Sequence, residues 1–218
     1  AKKHHPKKSS DTVVFYQTYE DADVNKVTAK MYTRNSQGGE SKMGYIKRIS
    51  ADKYKKQGRG GTGSNSTVLL EDDYVNQLFI GSTKEHLLFI TNIGKAYWIK
   101  IHEIPESEKT SRGANIKGLL QVGPDEEITT IVSFKEFSDD LYLFMTTEKG
   151  VVKKVRSTEF LNAKTRGIIG IKLNSGDKLI SAVPTTGKED MMLITRRRCI
   201  VTIVTAYGLD IRFRTGIL

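Results

Sequence analysis

Short apolar runs broken by turn residues occupy most of this chain, and helical periodicity is scarce. Leu87-Leu88-Phe89-Ile90-Thr91 and Leu141-Tyr142-Leu143-Phe144-Met145 are such runs. Each leads into a turn, Asn92-Ile93-Gly94 or Glu148-Lys149-Gly150, and then a second strand. Runs this short with turns at their ends predict buried inner strands of hairpins. Near the C-terminus the pattern alternates instead. Leu209, Ile211 and Phe213 are expected to face a core, with Asp210, Arg212 and Arg214 facing out. Val13-Val14-Phe15-Tyr16 and Val27 to Tyr32 also read as strands, and residues 35–42, with Gly38-Gly39, as an exposed loop. Met191 to Thr195 and the following Arg196 to Val201 predict one more hairpin. The hairpin at Gly208 follows it too soon for a full unit, so the last unit reads as incomplete.

The hairpins recur in a fixed order. A glycine followed by a strand carrying cations stands at Gly44, Gly94, Gly150 and Gly208, in steps of 50, 56 and 58 residues. After each of the first three comes an Arg-Gly, at Arg59-Gly60, Arg112-Gly113 and Arg166-Gly167. A third element then follows: an acid, an apolar residue two on, and another three further. It is seen from Asp73 to Leu78, from Glu126 to Ile131 and from Asp177 to Ala182. A period near 50 with several strands per unit predicts an all-β, radially repeated, propeller-like architecture. The cations Lys47, Arg48, Lys100, Lys153, Lys154, Arg212 and Arg214 fall at comparable places in successive hairpins. Set around an axis, they are expected to form a basic rim.

Composition narrows the classes of function. The chain has 218 residues, 38% apolar and 28% charged, with a net charge of +10. Residues 1–63 hold 14 Lys and Arg against 6 Asp and Glu, so +8 of that charge lies there and +2 in the rest. A basic excess favours polyanions, and with no basic amphipathic helix in view nucleic acid is preferred over a membrane surface. No apolar run approaches the roughly 20 residues of a membrane span. The single cysteine, Cys199, reads as a small buried hydrophobe and fits a reducing, cytoplasmic setting. Residues 1–10 read as a flexible basic arm and 11–218 as the repeat domain. There is no apolar leader at the start, and the lack of an initial Met leads to the expectation of a fragment of a longer protein. No phosphate-binding Walker loop, metal-spaced Cys or His pair, or nucleophile elbow is present, so no cofactor, metal or catalytic residue is expected.

The stretch from Gly44 to Gly63, GYIKRISADKYKKQGRGGTG, carries the sharpest chemistry. Glycines at Gly58, Gly60, Gly61 and Gly63 let backbone amides approach a phosphate closely. Arg59, Lys55 and Lys56 supply charge, and Gln57 a hydrogen-bonding amide.

This stretch resembles the C-terminal domain of the A subunit of bacterial type IIA topoisomerases, the family of DNA gyrase and topoisomerase IV. The gyrase box of that family reads Gln-Arg-Arg-Gly-Gly-Lys/Arg-Gly. Gln57, Arg59, Gly60, Gly61 and Gly63 match it, while Gly58 and Thr62 replace basic residues. Gly44-Tyr45-Ile46-Lys47-Arg48, Phe89 to Lys100 on through Arg112-Gly113, and Thr146 to Lys154 are similar to further parts of the family. The resemblance covers about residues 43–218. It implies a β-pinwheel of four-stranded blades that binds and wraps duplex DNA without reading its sequence, supporting negative supercoiling by the holoenzyme. The box residues would close the wrap. Lys47, Arg48, Lys55, Lys56, Lys100, Arg112, Lys153, Lys154, Lys164, Arg166, Arg212 and Arg214 would contact DNA along the rim. The implied partners are double-stranded DNA, the ATPase B subunit of the holoenzyme and the rest of the A subunit, with the catalytic tyrosine and ATPase outside this chain. A topoisomerase IV domain steering substrate choice is the alternative within the family. A propeller scaffold for protein partners is the rival outside it, and the +10 charge argues against that rival.

Overall fold

The apolar runs form the inner strands of four antiparallel sheets in the computed structural model. It describes residues 26–34, 43–50, 73–108, 111, 113–194, 200–207 and 210–217. The strands are β1 (Lys26–Arg34), β2 (Met43–Ser50), β3 (Asp73–Ser82), β4 (His86–Thr91), β5 (Lys95–Lys100), β6 (Ala114–Asn115) and β7 (Ile128–Phe134). They continue with β8 (Tyr142–Thr147), β9 (Val152–Arg156), β10 (Ile168–Ile169), β11 (Leu179–Thr185), β12 (Asp190–Ile194), β13 (Ile200–Tyr207) and β14 (Asp210–Ile217). The one α-helix among the described residues, α1 (Ile116–Leu119), is a single turn capped by the Asn115 side chain on the Lys117 amide. The all-β class read from the periodicity is the class found.

The sheets run β3-β1-β2-β6, β7-β4-β5-β10, β11-β8-β9 and β12-β13-β14. The third repeat element takes the same place each time: β3, β7 and β11 flank the inner strands β1, β4 and β8. The short strands after Gly113 and Gly167 pair back onto the hairpin of the preceding repeat, while Arg59-Gly60 lies outside the described residues. β6 follows Gly113 and pairs with β2, Tyr45 opposite Asn115. β10 follows Gly167 and pairs with β5, Lys95 opposite Ile169. A hairpin is present around residues 191–201, with Ile194 opposite Val201, but its second strand runs over Ile200–Tyr207 rather than Arg196 to Val201, and residues 195–199 lie outside the described residues. Its second strand, β13, also carries the Gly208 hairpin, so one strand serves both and the sheet has three strands.

The chain falls into two compact units, Ala1–His86 with Ile99–Asp125, and Leu87–Trp98 with Glu126–Leu218. In the first, Ile46, Ile49, Ile101, Ile104, Ile116 and Leu120 are buried. The second is centred on Leu88, Ile90, Leu143, Met145, Phe160 and Leu179. Five successive residues of β4, Leu87 to Thr91, are buried, as are Leu143 to Thr147 of β8. An unbroken buried run on a strand means that both faces of the sheet are covered.

The β4–β5 and β8–β9 turns are built alike. Gly94 and Gly150 adopt φ of +79° and +84°, a conformation that favours glycine, and their amides donate to Thr91 O and Thr147 O. The hydroxyls of Thr91 and Thr147 accept from the amides of Lys95 and Val151. The expected third member, Gly44, departs from this. It lies inside β2, opposite Thr33 of β1, and is not among the glycines with positive φ. What it supplies is room, since a Cβ there would stand 2.9 Å from Ile116 Cδ1.

Candidate nucleic-acid interface

The Arg-Gly segment at 164–169 is the best defined basic element. The Trp98 amide donates to Lys164 O at 3.0 Å, and the Gly167 amide to Ala163 O at 2.7 Å. Lys164 itself has a φ of +37°. Gly167, at φ +73°, lies directly on the Tyr97 ring, where an added Cβ would collide with Cε1 and Cδ1. Beyond it, Ile168 and Ile169 join the sheet. The segment is therefore fixed on both sides, and Lys164 and Arg166 stand exposed on it. Exposed cations on a fixed backbone reach a phosphate without first being ordered.

Other cations differ in what they offer. Lys153 is exposed, its ammonium 2.9 Å from Gly170 O. Lys100 is half-buried. Arg48 has a side chain 19% exposed; its Nε donates to Ile104 O at 3.0 Å, and its guanidinium stands 3.7 Å from the Glu106 carboxylate.

Two residues expected on the rim are buried. Lys47 is 0% exposed, and its ammonium donates to Ser111 O at 2.7 Å and to Glu108 O at 3.3 Å. Lys154 is 5% exposed, with its ammonium 5.0 Å from the centre of the Tyr142 ring. Strand alternation explains Lys154, which points to the opposite side of β9 from Lys153. Lys47 is covered from a distance, by the segment around Gly113. Both cations hold structure together and neither presents its ammonium to a ligand.

The box residues Gln57, Arg59, Gly60, Gly61 and Gly63, together with Lys55, Lys56 and Arg112, lie outside the described residues. Arg212 and Arg214 are placed by register in β14, opposite Thr205 and Ile203. The sequence reading passed over Arg156 at the end of β9. It is exposed, and with Lys153 it lines a groove of about 330 Å³ that also touches Glu159, Phe160, Ile168 and Ile169. Alternation places it on the side of the buried Lys154, so the local pattern carried no signal for its exposure at the strand's end.

A sequence model described as "DNA gyrase C-terminal domain, beta-propeller" matches residues 41–82, 85–135 and 141–186. These segments follow the first three repeats and make up well over half of the chain. The chain belongs to the DNA gyrase C-terminal domain family. Among similar curated proteins is the DNA gyrase A subunit of Treponema pallidum (strain Nichols), 52% identical over 157 residues, which are 72% of this chain and 19% of that protein. The DNA gyrase A subunit of Clostridium acetobutylicum is 41% identical over 170 residues, 78% of this chain and 19% of that protein. The chain thus spans about a fifth of the length of these gyrase relatives.

Solved structures agree on the fold. A DNA gyrase A C-terminal domain superposes with a TM-score of 0.59 at 29% identity, covering 88% of this chain and 60% of its own. The C-terminal domain of a DNA topoisomerase IV gives 0.66 at 21% identity, covering 90% and 58%. At that identity the second likeness is one of fold. Among the described residues no helix is long and apolar enough to cross a membrane, and no three His, Cys, Asp or Glu gather as a metal site.

Proposed function

We propose that this gyrase-family domain binds duplex DNA and bends or wraps it, without reading its sequence, as part of a DNA gyrase A-type subunit. The observation that carries the reading is the Arg-Gly segment, with Lys164 and Arg166 exposed on a backbone fixed against β5, in a family whose repeats run through the chain. Lys153, Arg156 and Lys100 add further cations. No base-reading helix is present among the described residues, so phosphate contacts dominate. The domain is not an enzyme by itself and needs no cofactor. Its partners are double-stranded DNA, the ATPase B subunit of the holoenzyme and the rest of the A subunit, in the cytoplasm, within an ATP-dependent type IIA topoisomerase. Wrapping by this domain would set the hand of the DNA crossing and so support negative supercoiling.

The gyrase box is the feature that would close the wrap. Arg59 is its one cation, since Gly58 and Thr62 stand where the family carries basic residues. The topoisomerase IV reading is favoured by this reduced box, and the gyrase reading by 52% identity to a gyrase subunit. One experiment separates them. A nicked circle is ligated in the presence of the wild type, Arg59→Ala, or Lys164→Ala with Arg166→Ala, and the linking difference is read beside a binding curve. A wrapping domain changes the linking number, and Arg59→Ala lowers that change more than it lowers affinity. An unchanged linking number with intact binding rejects the wrapping role.

A further inference from the structure

Alternation along β5 sends Ala96 into the core cluster and Tyr97 to the opposite face of the strand. Tyr97 is nonetheless 0% exposed, and the Arg-Gly segment helps to cover it. A Cβ on Gly167 would stand 2.7 Å from Tyr97 Cδ1 and from Cζ, and closer still to Cε1, so the glycine backbone rests on one edge of the ring. The segment is pinned on either side of Arg166. Before it, Ala163 is buried and the Trp98 amide donates to Lys164 O at 3.0 Å; after it, Ile168 pairs with Ala96. Lys164 takes a φ of +37°, a left-handed conformation that costs a non-glycine residue free energy and is kept only where its surroundings impose it. Lys164 and Arg166 are both exposed. The ring beneath them is itself held, because its hydroxyl donates to Glu126, whose other carboxylate oxygen accepts from Lys95.

We propose that Tyr97 is a positioning residue for DNA binding: its buried ring is the seat that sets where Lys164 and Arg166 stand. The inference rests on the DNA reading above and adds to it a residue that never touches the duplex. Two long cationic side chains on a loose loop must be ordered when they meet phosphates, and that ordering is subtracted from affinity. With the loop seated on the ring, its backbone is already ordered when the chain folds. The ring and the hydroxyl have separable tasks. The flat ring supports Gly167, while the hydroxyl satisfies the buried Glu126 carboxylate. Phenylalanine keeps the seat and loses only the bond to Glu126. Leucine removes the seat, because a branched aliphatic side chain offers the glycine no flat ring edge to rest on.

The test is a mutant cycle in the full chain, read as affinity for a random-sequence duplex at about 100 mM salt. Tyr97→Leu is placed in the wild type and in the double variant Lys164→Ala with Arg166→Ala, and thermal melts confirm that each protein is folded at the temperature used. The double charge variant alone should lower the salt slope by about two units. Tyr97→Leu should lower affinity about tenfold in the wild type and have no further effect once the two cations are gone. Tyr97→Phe should keep wild-type affinity although it is less stable. If Tyr97→Leu does not fold, Gly167→Ala displaces the same loop from its other side and carries the cycle with the same expectation. An equal loss in both backgrounds, or a loss in neither, overturns the proposal. So does a loss for Tyr97→Phe as large as that for Tyr97→Leu. A double charge variant with unchanged slope and affinity removes this segment from the DNA reading itself, and the positioning role falls with it.

Discussion

Tyr97 Oη donates a hydrogen bond to Glu126 Oε2 at 2.8 Å, and both residues are buried. The other oxygen of that carboxylate accepts from Lys95 Nζ at 2.9 Å. The acid that recurs before each third repeat element thus ties a hairpin to its neighbouring edge strand, here β5 to β7. In the next repeat Asp177 does related work by another route, its Oδ1 accepting from the amides of Lys149 and Lys178. The position is common to the repeats, while the partner it selects is local.

Burial, then the hydrogen bond to Glu126 and its negative charge, raise the Tyr97 phenol well above its ordinary 10.0. The folded state therefore favours the neutral phenol. The stability this gives is fully present below pH about 10 and is lost as pH rises beyond it. Replacing Tyr97 with Phe leaves Glu126 buried with one donor fewer, at a cost of about 1–3 kcal/mol near neutral pH. The stability gap between wild type and Tyr97→Phe should hold up to about pH 10 and narrow as pH rises above it. Denaturant midpoints of both proteins on either side of that pH check it, and a constant gap would refute the linkage.

Two glycine-to-alanine changes should act in opposite directions. Gly167→Ala pushes a methyl into the Tyr97 ring at a positive φ, and a cost of at least about 1–3 kcal/mol is expected from the backbone conformation alone. Gly118 lies in α1 with nothing within 4 Å of the added Cβ and no positive φ. There alanine restricts the unfolded chain and should stabilise by about 0.4–1 kcal/mol. Thermal unfolding of the two variants tests the pair, and a destabilised Gly118→Ala would refute the account of α1.

Glu189 is held down to about 2 from an ordinary 4.5, first by the Thr185 hydroxyl and then by that of Thr186, against a smaller opposing effect of burial. Its favourable contribution is present above pH about 4.5 and is lost as pH falls towards 2. Because the carboxylate is exposed, the effect on global stability is small. The sharper readout is its own titration by carbon-13 NMR. Replacing Thr185 and Thr186 together with Val should return the midpoint towards the ordinary glutamate value. A midpoint that stays near 2 would show that the hydroxyls are not the cause.

The periodic features of this fold were legible, and the features that depend on what covers a strand were not. The runs at Leu87 and Leu141 read directly as inner strands because burial on both faces leaves no polar break. The recurring acids at Asp73, Glu126 and Asp177 marked the edge strands β3, β7 and β11. Gly44 misled because a glycine serves a turn and a close contact equally well, and only the packed Ile116 side chain tells which. Lys47 misled because its cover, Gly113, lies 66 residues away (113 − 47), in the next repeat. The local pattern of strand residues around Lys47 is the same whether that cover is present or not. Lys153, with the same local pattern, is exposed.

Lys47 and Arg166 should therefore respond in opposite ways to substitution. Lys47→Met keeps most of the side-chain volume and removes a buried ammonium, leaving Ser111 O and Glu108 O without their donor. Stability should fall by about 1–3 kcal/mol. Since Lys47 presents no charge to solvent, the dependence of DNA affinity on salt should keep its slope. Arg166→Ala should do the reverse. On the proposed DNA reading, loss of this exposed guanidinium should lower the salt slope by about one unit and leave the melting temperature nearly unchanged. The two variants are compared by thermal melts and by binding to a random-sequence duplex between about 50 and 200 mM salt. A lowered slope for Lys47→Met would place its ammonium on the DNA. An unchanged slope for Arg166→Ala would remove the Arg-Gly segment from the interface.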